Sequence, residues 1–373
     1  MDYNNTLINQ ATIKILKICY NAKLIFQGGN MIFIDACKRK ETSYTPIWLM
    51  RQAGRYLSEY KEVRKQAGSF LDLCKNVDLA TQVTLQPIEI FDFDAAILFS
   101  DILVIPLEMG LELDFIKDEG PRFRKTIRTQ SDLKALNSGI ANNLSYVYDT
   151  ISSIRKKLPK DKALIGFCGA PWTLATYMIE GGGSKTYTHS KKMLYKNPQM
   201  LCQLLSHISQ ELKMYLESQI KAGANAVMLF DSWAGALEGS AYLEFGFKYI
   251  LEITTHLKAK YPQIPIIVFP KGVGGYLHKF RDIKADFEVF GIDWGCDLGT
   301  AKAILGDKFV LQGNLEPARL YDENAMISGV SDILEIFGKQ AGHIFNLGHG
   351  MLPDLERENV AKLVQFVREK SKR

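Results

Sequence analysis

The sequence has few of the features that would place it in a specialised class of protein. Its 373 residues include only six cysteines, which are widely and irregularly spaced and never form a CxxC pair. Such spacing is typical neither of a disulfide framework nor of a zinc ribbon, and it predicts reduced thiols in a cytoplasmic protein. No apolar run is long enough to span a membrane. The formal charge of +5 is mild and the lysines are spread along the chain, so we predict neither a nucleic-acid-binding patch nor a membrane-binding stripe.

Motifs for metals and phosphates are missing as well. The six histidines show no HxH, HExxH or His-x-Cys spacing, which argues against a metal site. Residues 181–184 (GGGS) lack the lysine spacing of a P-loop and follow a helical pattern rather than a strand. Residues 272–275 (GVGG) do not match a dinucleotide fingerprint, because the third glycine is misplaced. The chain also has no repeat and no Pro/Gly/Ser-rich linker, so we predict a single domain over residues 31–373.

Residues 1–30 differ from the rest of the chain. Lys14 and Lys17 interrupt their apolar residues, so the stretch has no clean signal-peptide core. It contains no arginine and carries Asp2, which disfavours an amphipathic targeting presequence. We therefore predict that residues 1–30 are a poorly ordered extension, with an upstream start before Met31 as the alternative.

What the sequence does contain is an alternation of short apolar runs and helical patterns. Alternating strands and helices imply a parallel sheet, and eight apolar runs in one chain of this length predict an α/β fold, a somewhat irregular (β/α)8 TIM barrel. A hairpin-like excursion is predicted over residues 111–127. The predicted strands cover residues 46–50, 93–99, 163–167, 225–230, 265–269, 287–292, 309–312 and 343–347.

Polar residues and glycines accumulate directly after the predicted strands. Because barrel enzymes build their sites at the carboxyl ends of the strands, this pattern predicts an active site at that edge. The residues concerned are, in chain order, Arg51, Asp101, Cys168-Gly169, Asp231-Ser232, Lys271-Gly272, Asp293, Gly313-Asn314 and Gly348-His349-Gly350.

The first of these positions opens a densely polar stretch, residues 51–56 (RQAGRY). Arg51 and Arg55 are four residues apart, so their guanidinium groups converge on a helical turn or a tight loop, and Gly54 lets such a loop fold back. Two convergent guanidinium groups suit a ligand with several carboxylates, since each can bind a carboxylate through two parallel hydrogen bonds. Two surface ion pairs are the alternative, but the buried strand that precedes Arg51 favours a ligand site.

The other candidates are more ambiguous when each is taken alone. Asp101 and Ser232 follow strands and either cap the next helix or face the pocket. Cys168 is better explained as a small buried residue than as a nucleophile, because its neighbours are apolar and no histidine is near. His349 lies between two glycines that expose its imidazole, with a local hydrogen bond as the alternative role. We interpret the remaining histidines as surface or helix residues.

Together these motifs resemble the uroporphyrinogen decarboxylase family. Two long stretches carry the resemblance, residues 47–56 (IWLMRQAGRY) and 166–181 (GFCGAPWTLATYMIEG). The resemblance covers the chain from about residue 32 to its end, and it departs from the family pattern at Ser58 and at Gly295-Cys296. Shorter matches follow in the right order at residues 99–106 (FSDILVIP), 230–235 (FDSWAG), 271–272 (KG), 311–317 (LQGNLEP) and 346–350 (NLGHG).

The resemblance implies a (β/α)8 barrel that forms a homodimer with facing active-site clefts. It implies a carboxy-lyase of haem biosynthesis that removes carbon dioxide from the four acetates of uroporphyrinogen, a reduced tetrapyrrole with four further propionates, and gives coproporphyrinogen. No cofactor and no metal are implied. In the family pattern the loop Arg51-Gln52-Ala53-Gly54-Arg55 meets the substrate carboxylates, Asp101 holds the pyrrole NH groups, and Tyr177, Ser232 and His349 supply the remaining polar contacts.

The implied chemistry agrees with these residue types. Loss of carbon dioxide leaves an electron pair on a methylene carbon, and a pyrrole protonated at a ring carbon can accept that pair without a cofactor. Asp101 would stabilise this cation through the pyrrole NH donors. Arg51 would orient the departing carboxylate, since an arginine is a poor general acid. By resemblance, Tyr177 completes the catalytic group.

Two other functions remain open at this point. A corrinoid-dependent methyltransferase on the same barrel needs a zinc site near the fifth strand, where residues 269–272 (FPKG) offer neither thiolate nor imidazole. A non-catalytic tetrapyrrole carrier would keep the cleft without the chemistry, and the presence of Arg51, Asp101 and Tyr177 argues against it.

Overall fold

The computed structural model of the protein describes residues 31–116 and 120–373. The extension predicted over residues 1–30 lies outside the described residues. Among the described residues, no helix combines the length and the apolar character that crossing a membrane requires.

Nearly all the strands belong to one parallel sheet. Seven strands form this sheet in the order β1-β4-β5-β6-β7-β8-β9, and every neighbouring pair is parallel. The other two strands, β2 and β3, pair antiparallel as the predicted hairpin. The strands are β1 (Ala95–Ile97), β2 (Leu113–Ile116), β3 (Gly120–Phe123), β4 (Ala163–Gly169), β5 (Ala226–Asp231), β6 (Ile266–Pro270), β7 (Val289–Gly291), β8 (Val310–Gln312) and β9 (His343–Ile344).

α-Helices connect most successive strands of the parallel sheet, as is usual for parallel crossovers, and a 3-10 helix (Gly274–Phe280) lies between β6 and β7. Several have clear start and stop signals: a proline opens α8 and α10, and Gly181 and Gly223 end them in the left-handed conformation. The α-helices are α1 (Ile32–Cys37), α2 (Ser58–Ala67), α3 (Phe70–Lys75), α4 (Val77–Phe91), α5 (Val104–Glu108), α6 (Gln130–Lys134), α7 (Ser145–Lys157), α8 (Pro171–Glu180), α9 (Thr188–Lys196), α10 (Pro198–Ala222), α11 (Gly239–Tyr242), α12 (Lys248–Lys260), α13 (Leu298–Leu305), α14 (Glu323–Phe337) and α15 (Arg357–Lys370).

The strands of the sheet are buried on both faces. In β4 and β6 every residue is buried, which explains why these runs are continuously apolar rather than alternating. One polar side chain from the long helix α10 reaches into the sheet. The amide of Gln219 accepts a hydrogen bond from Phe167 N at 2.8 Å and donates to Phe167 O at 2.9 Å. Gly166 leaves room for it, because a Cβ there would overlap the Gln219 amide.

The prediction of an eighth strand over residues 46–50 is wrong in detail. Ile47 makes one isolated parallel bridge, to Phe345 beyond β9. On its other side, Ile47 N donates to the Asp94 carboxylate at 2.8 Å, and Asp94 N donates to Ile47 O at 3.0 Å. Pro46 has no N–H to offer, and a turn from Leu49 to Gln52 ends the extended stretch, so no strand ladder forms.

The 46–50 segment nevertheless contacts both edges of the sheet. It lies beside β9 through Phe345 and beside β1 through Asp94. A sheet whose two edges meet the same short segment must be curled. The α/β class and the parallel sheet are thus confirmed in the form of a curled sheet of seven strands.

Candidate active site

The polar residues that follow the predicted strands lie at one edge of the sheet. Because the seven strands are parallel, their carboxyl ends face the same way. Asp101 follows β1, Ser232 follows β5, Lys271 follows β6 and His349 follows β9. Arg51 follows the 46–50 segment, which occupies the gap between β9 and β1.

Arg51 is held at this edge by unusual backbone geometry. Met50 N donates to the Asn346 side chain at 3.1 Å, and Met351 N donates to Met50 O at 2.9 Å, so the residue before Arg51 is tied to the chain beyond β9. Arg51 itself has φ of 61°, a left-handed conformation that is rare for a residue with a side chain and that clusters at functional sites. Its side chain passes over Gly350, where a Cβ would lie 2.7 Å from Arg51 Cγ and would overlap Arg51 Cδ.

The rest of the Arg51–Arg55 loop is placed less uniformly than expected. Gln52 is 1% exposed, and its amide is used inside the fold: it accepts from Leu49 N at 3.3 Å and donates to Ala95 O at 3.2 Å. Ala53 and Gly54 are half-buried, and Arg55 is exposed. A Cβ on Gly54 would lie 3.3 Å from the carbonyl oxygen of Arg51, which agrees with the predicted tight turn.

The two arginines do not share a described contact. The Arg51 guanidinium acts on the pKa values of Asp101, Tyr177 and His349, which places it among the predicted site residues. Arg55 acts instead on Tyr60, whose pKa is raised by burial and lowered in part by nearby arginines. Of the two arginines, the structure therefore brings only Arg51 close to Asp101, Tyr177 and His349.

Asp101 bonds to the chain that follows it and lies near Arg51. Its Oδ1 accepts a hydrogen bond from Leu103 N at 2.7 Å, while its Oδ2 has no hydrogen-bond partner among the described residues. Burial raises the pKa of Asp101, whereas the Leu103 N–H and the Arg51 guanidinium act in the opposite direction. The bond to Leu103 closes a local turn, but α5 begins at Val104 with Leu103 as its N-cap residue, so Asp101 does not cap that helix.

Tyr177 comes from the middle of α8 and is part of an aromatic cluster that the sequence did not reveal. Its ring lies 5.8 Å from that of Trp233, which in turn lies 5.5 Å from the ring of Tyr187. Burial raises the pKa of Tyr177, and the Asp101 carboxylate raises it further, so the phenol keeps its proton. Cys168, at the end of β4, is 1% exposed, and its burial raises the pKa of the thiol, as expected for a small buried residue.

Ser232 follows Asp231, whose complete burial the sequence did not predict. Asp231 is fully buried and accepts hydrogen bonds from Thr173 Oγ1 at 2.6 Å and Tyr242 Oη at 2.8 Å. Burial raises the pKa of Asp231 to about 6, although both hydroxyls act against the increase. Ser232 is half-buried, and its hydroxyl has no hydrogen-bond partner among the described residues, so it remains free for a ligand.

The two glycines around His349 serve close packing rather than exposure. A Cβ on Gly348 would overlap the backbone of Trp294, and Gly350 makes room for Arg51. Burial, together with the nearby Lys271 and Arg51 cations, lowers the pKa of His349 to about 4. At neutral pH the imidazole is therefore uncharged.

Another histidine corrects the interpretation of the remaining histidines as surface or helix residues. His343 lies in β9, is 1% exposed and stacks on the ring of Phe337 at 4.2 Å. Its Nε2 lies 2.8 Å from Gly313 O. A single histidine in a short apolar run gave no sequence signal for this packing.

The cations of this edge lack counter-ions. Within the described ranges, no carboxylate oxygen lies within 4 Å of the side-chain nitrogens of Arg51, Arg55 or Lys271. The same part of the chain contains no group of three or more His, Cys, Asp or Glu side chains that could hold a metal ion. The site therefore combines unpaired positive charge with one half-buried carboxyl group, Asp101, and suits a ligand that brings its own negative charges.

Fold and site together define an α/β protein with a curled parallel sheet and cations without counter-ions at the carboxyl ends of its strands. Comparison with known proteins gives the family. The family model described as uroporphyrinogen decarboxylase (URO-D) matches residues 29–370. The chain belongs to the uroporphyrinogen decarboxylase family, and the predicted class of enzyme, a carboxy-lyase, is confirmed.

Individual relatives are similar over their whole length. The uroporphyrinogen decarboxylase of Helicobacter hepaticus is 67% identical over 343 residues, which cover 92% of this chain and all of that protein. That of Wolinella succinogenes is 64% identical, with the same coverage. Among solved structures, a methyltransferase from Methanosarcina mazei matches with a TM-score of 0.72 at 18% identity, over 91% of this chain and 98% of its own. At that identity the similarity concerns the fold alone.

Proposed function

We propose that this protein removes the four acetate carboxyl groups of uroporphyrinogen, converts the acetates to methyls and releases coproporphyrinogen in haem biosynthesis, without a cofactor. The proposal rests on the position of the Asp101 carboxylate. Its Oδ2 is free beside the Arg51 cation, at an edge where Arg55 also lacks a counter-ion. A tetrapyrrole with eight carboxylates supplies the missing negative charge, and its pyrrole NH groups supply donors for Asp101.

In the proposed reaction each acetate is lost in the same way. A proton adds to a carbon of the pyrrole ring and makes the ring cationic. The bond between the acetate methylene and its carboxylate then breaks, carbon dioxide leaves, and the electron pair enters the ring through a new exocyclic double bond. A proton next adds to the methylene carbon to make a methyl, and the ring carbon gives up its proton. Each cycle consumes one proton and releases one carbon dioxide.

Asp101 stabilises the cationic ring. Its carboxylate accepts hydrogen bonds from the pyrrole NH groups, and its negative charge stabilises the positive charge that develops as the ring is protonated. The Leu103 N–H fixes one of its oxygens, so the other is oriented before the substrate arrives. Preorganised groups of this kind typically contribute a factor of about 10²–10³ in rate.

The remaining site residues bind and orient the substrate. Arg51 orients the carboxylate that departs, and Arg55 binds a further carboxylate at the exposed side of the loop. Ser232 and the neutral His349 contribute hydrogen bonds, and Tyr177 contributes a phenol that keeps its proton. Gln52, Ala53 and Gly54 act mainly through the shape of the loop, since the Gln52 amide bonds within the fold.

We also propose the larger arrangement that the family resemblance implies. The 46–50 segment takes the place of the eighth strand of a (β/α)8 barrel, and residues 31–373 form one domain. The protein works in the cytoplasm as a homodimer. The bonds of Ile47 to Phe345 and to Asp94 support the proposal that the 46–50 segment replaces the eighth strand.

The first experiment is anaerobic incubation with uroporphyrinogen in EDTA and without added cofactor. The products are oxidised and separated by their number of carboxylates. A ladder from eight carboxylates to four is the expected result. Intact substrate, with a folded protein, would contradict the proposal, and a zinc analysis would then test the methyltransferase alternative.

A variant separates an enzyme from a tetrapyrrole carrier. Asp101→Asn keeps the shape of the side chain and removes its charge, so turnover is expected to fall by about 10²–10³-fold. Binding of the oxidised ligand uroporphyrin should change little. Asp307→Asn, an exposed carboxylate on the chain between α13 and β8, is the matched control and should behave as wild type. Normal turnover in the Asp101 variant would show that this carboxylate does not stabilise the reaction.

A further inference from the structure

Lys271 lies at the edge that forms the site, one residue beyond β6. Its main chain is bonded to the neighbouring strand end: Lys271 N donates to Asp231 O at 3.1 Å, and Gly235 N donates to Lys271 O at 2.9 Å. Asp231 immediately precedes Ser232. The lysine therefore leaves the sheet beside a residue that we place in the substrate site.

The residue after Lys271 is fixed from two sides. Gly272 has φ of 82°, and its N–H donates to the Asp293 carboxylate beyond β7 at 2.8 Å. On the β5 side, the backbone packs so closely that a Cβ on Gly235 would lie 2.8 Å from Gly272 O. The ends of β5 and β7 thus hold the backbone at Lys271 in one position, which lowers the entropic cost of binding a ligand there.

The Lys271 ammonium group has no anionic partner in the described residues, although the side chain is half-buried. Two less exposed lysines have carboxylate partners: Lys162 pairs with Asp92 at 2.5 Å, and Lys258 pairs with Glu288. Two half-buried lysines, Lys302 and Lys308, instead donate to backbone carbonyls. Lys271 has neither kind of partner among the described residues. A cation that is partly desolvated without a counter-ion is unfavourable in the empty protein, and a ligand anion removes that cost.

The order of the sheet places Lys271 opposite the arginine loop. β6 is the middle strand of the seven, with three strands on either side, whereas the 46–50 segment lies between the two edge strands. In a curled sheet these positions face each other across the cleft. The charge of Lys271 also reaches His349, beyond β9, so it acts within the same cleft.

We propose that Lys271 is a further substrate-binding residue, whose ammonium group pairs with a carboxylate on the side of the tetrapyrrole rim that faces away from Arg51 and Arg55. The inference rests on the proposed function, because it needs a ligand with carboxylates around its rim. Uroporphyrinogen has this property, since each of its pyrroles carries an acetate and a propionate. Cations on opposite sides of the cleft fix the ring in its plane.

Binding of oxidised porphyrins, measured by fluorescence, tests the inference separately from turnover. Lys271→Met is expected to weaken uroporphyrin binding about tenfold, which corresponds to about 1.4 kcal/mol. Lys271→Arg should restore most of the affinity. Lys284→Met removes the same charge from an exposed position on the same connection and should bind as wild type. In steady-state assays the Lys271→Met variant should raise KM and leave kcat within about twofold, as expected for loss of a binding contact alone.

Comparison of two ligands identifies the carboxylate. Coproporphyrin keeps the four propionates and lacks the acetates. If Lys271 binds a propionate, Lys271→Met weakens the binding of both porphyrins to the same extent. If Lys271 binds an acetate, only uroporphyrin is affected.

The position of the lysine can be checked without any ligand. Since its ammonium group lowers the pKa of His349, Lys271→Met should raise the pKa of that imidazole, measured by NMR and assigned with His349→Gln. Unchanged uroporphyrin binding by Lys271→Met, in a protein whose wild type decarboxylates, would overturn the inference and leave the proposed function intact. A wild type that neither binds nor decarboxylates would overturn both.

Discussion

At the scale of single residues, the site depends on a glycine as much as on its charged groups. Arg51 can lie over Gly350 only because that position has no Cβ. Gly350→Ala would push the arginine side chain away, and displacement of a positioning group by about 1 Å can cost about 10²-fold in rate. We therefore expect kcat/KM for uroporphyrinogen to fall by about 10–100-fold, measured in anaerobic steady-state assays.

A second glycine provides the control for this prediction. Gly275 lies on the connection after β6, and a Cβ there would meet nothing within 4 Å. Gly275→Ala should therefore keep its activity and its melting temperature. Equal activity of the two alanine variants would show that the packing of Arg51 on Gly350 does not position the arginine.

A second residue-scale prediction concerns the stability of the protein in acid. Burial lowers the pKa of His343 from 6.5 to about 4. Between these values the unfolded chain binds more protons than the folded one, so the free energy of unfolding falls as the pH falls from about 6.5 to about 4, by about 3 kcal/mol from this histidine. His343→Gln keeps a donor for Gly313 O and cannot titrate, so its stability should depend less on pH in that window.

Urea unfolding at several pH values measures this difference. Other groups titrate in the same range, and Asp231, whose pKa is raised to about 6, acts in the opposite sense because it stabilises the fold more as the pH falls. These groups are common to wild type and variant, so their effects cancel in the comparison. His278→Gln, at an exposed position, is the control. Parallel pH curves for wild type and His343→Gln would contradict the assignment.

At the scale of elements, one buried carboxylate replaces a strand ladder. Asp94 is 1% exposed and accepts from Ile47 N at 2.8 Å, Tyr44 Oη at 2.8 Å and Arg368 Nη2 at 3.0 Å. Asp94→Ala leaves the buried N–H of Ile47 without a partner, while Arg368 keeps only its ion pair with the exposed Asp92. An unsatisfied buried donor typically costs about 1–3 kcal/mol. We expect a loss of that size in urea unfolding, together with lower activity, because the 46–50 segment leads into Arg51.

The neighbouring Asp92 serves as the control. It also pairs with Arg368, at 2.7 Å, but its side chain is 64% exposed. An exposed carboxylate contributes about 0–1 kcal/mol through an ion pair. Its partners Arg368 and Lys162 also keep Asp94 as a neighbour, at 3.0 and 4.0 Å, so Asp92→Asn should lose less stability than Asp94→Ala. If Asp94→Ala were no less stable than Asp92→Asn, the 46–50 segment would have to be held mainly by apolar packing.

Most elements of the sheet could be predicted from the sequence because each buried strand is a continuous apolar run that ends in a polar residue or a glycine. Local pattern sufficed for β4, β5 and β6. It failed for residues 46–50, whose N–H on the β1 side donates to the side chain of Asp94, 47 positions beyond Ile47, rather than to a strand. An apolar run carries no information about whether its edge is paired by a strand or by a carboxylate.

The site was predictable to a similar extent and for a similar reason. Arg51, Asp101 and His349 could be found because they follow strand ends, and parallel strands bring such positions to one edge. Both Gln52 and Asp231 were candidates, but the inward direction of the Gln52 amide and the burial of the Asp231 carboxyl could not be predicted, because both depend on contacts between distant segments. Lys271 was visible after its strand, but its missing counter-ion can be recognised only in three dimensions.

At the scale of the whole molecule, the chain that the structure describes leaves a large aromatic side chain uncovered beside the site. Trp294, between β7 and α13, is 51% exposed and packs its backbone against Gly348, next to His349. A homodimer with facing clefts, as the family resemblance implies, would cover this edge of both subunits. We therefore expect light scattering to give twice the chain mass of 42.1 kDa at micromolar concentration.

Substitution at this edge tests the geometry of the dimer as well as its existence. Trp294→Asp places a charge where facing clefts would exclude water, and it should shift the protein toward the monomer at low concentration. Met214→Asp is the control, because Met214 is equally exposed, at 50%, but lies on the long helix α10. A Trp294→Asp protein that remains dimeric to the same dilution as Met214→Asp would mean that the subunits do not meet at this tryptophan. A wild type that scatters as a monomer would contradict the homodimer itself.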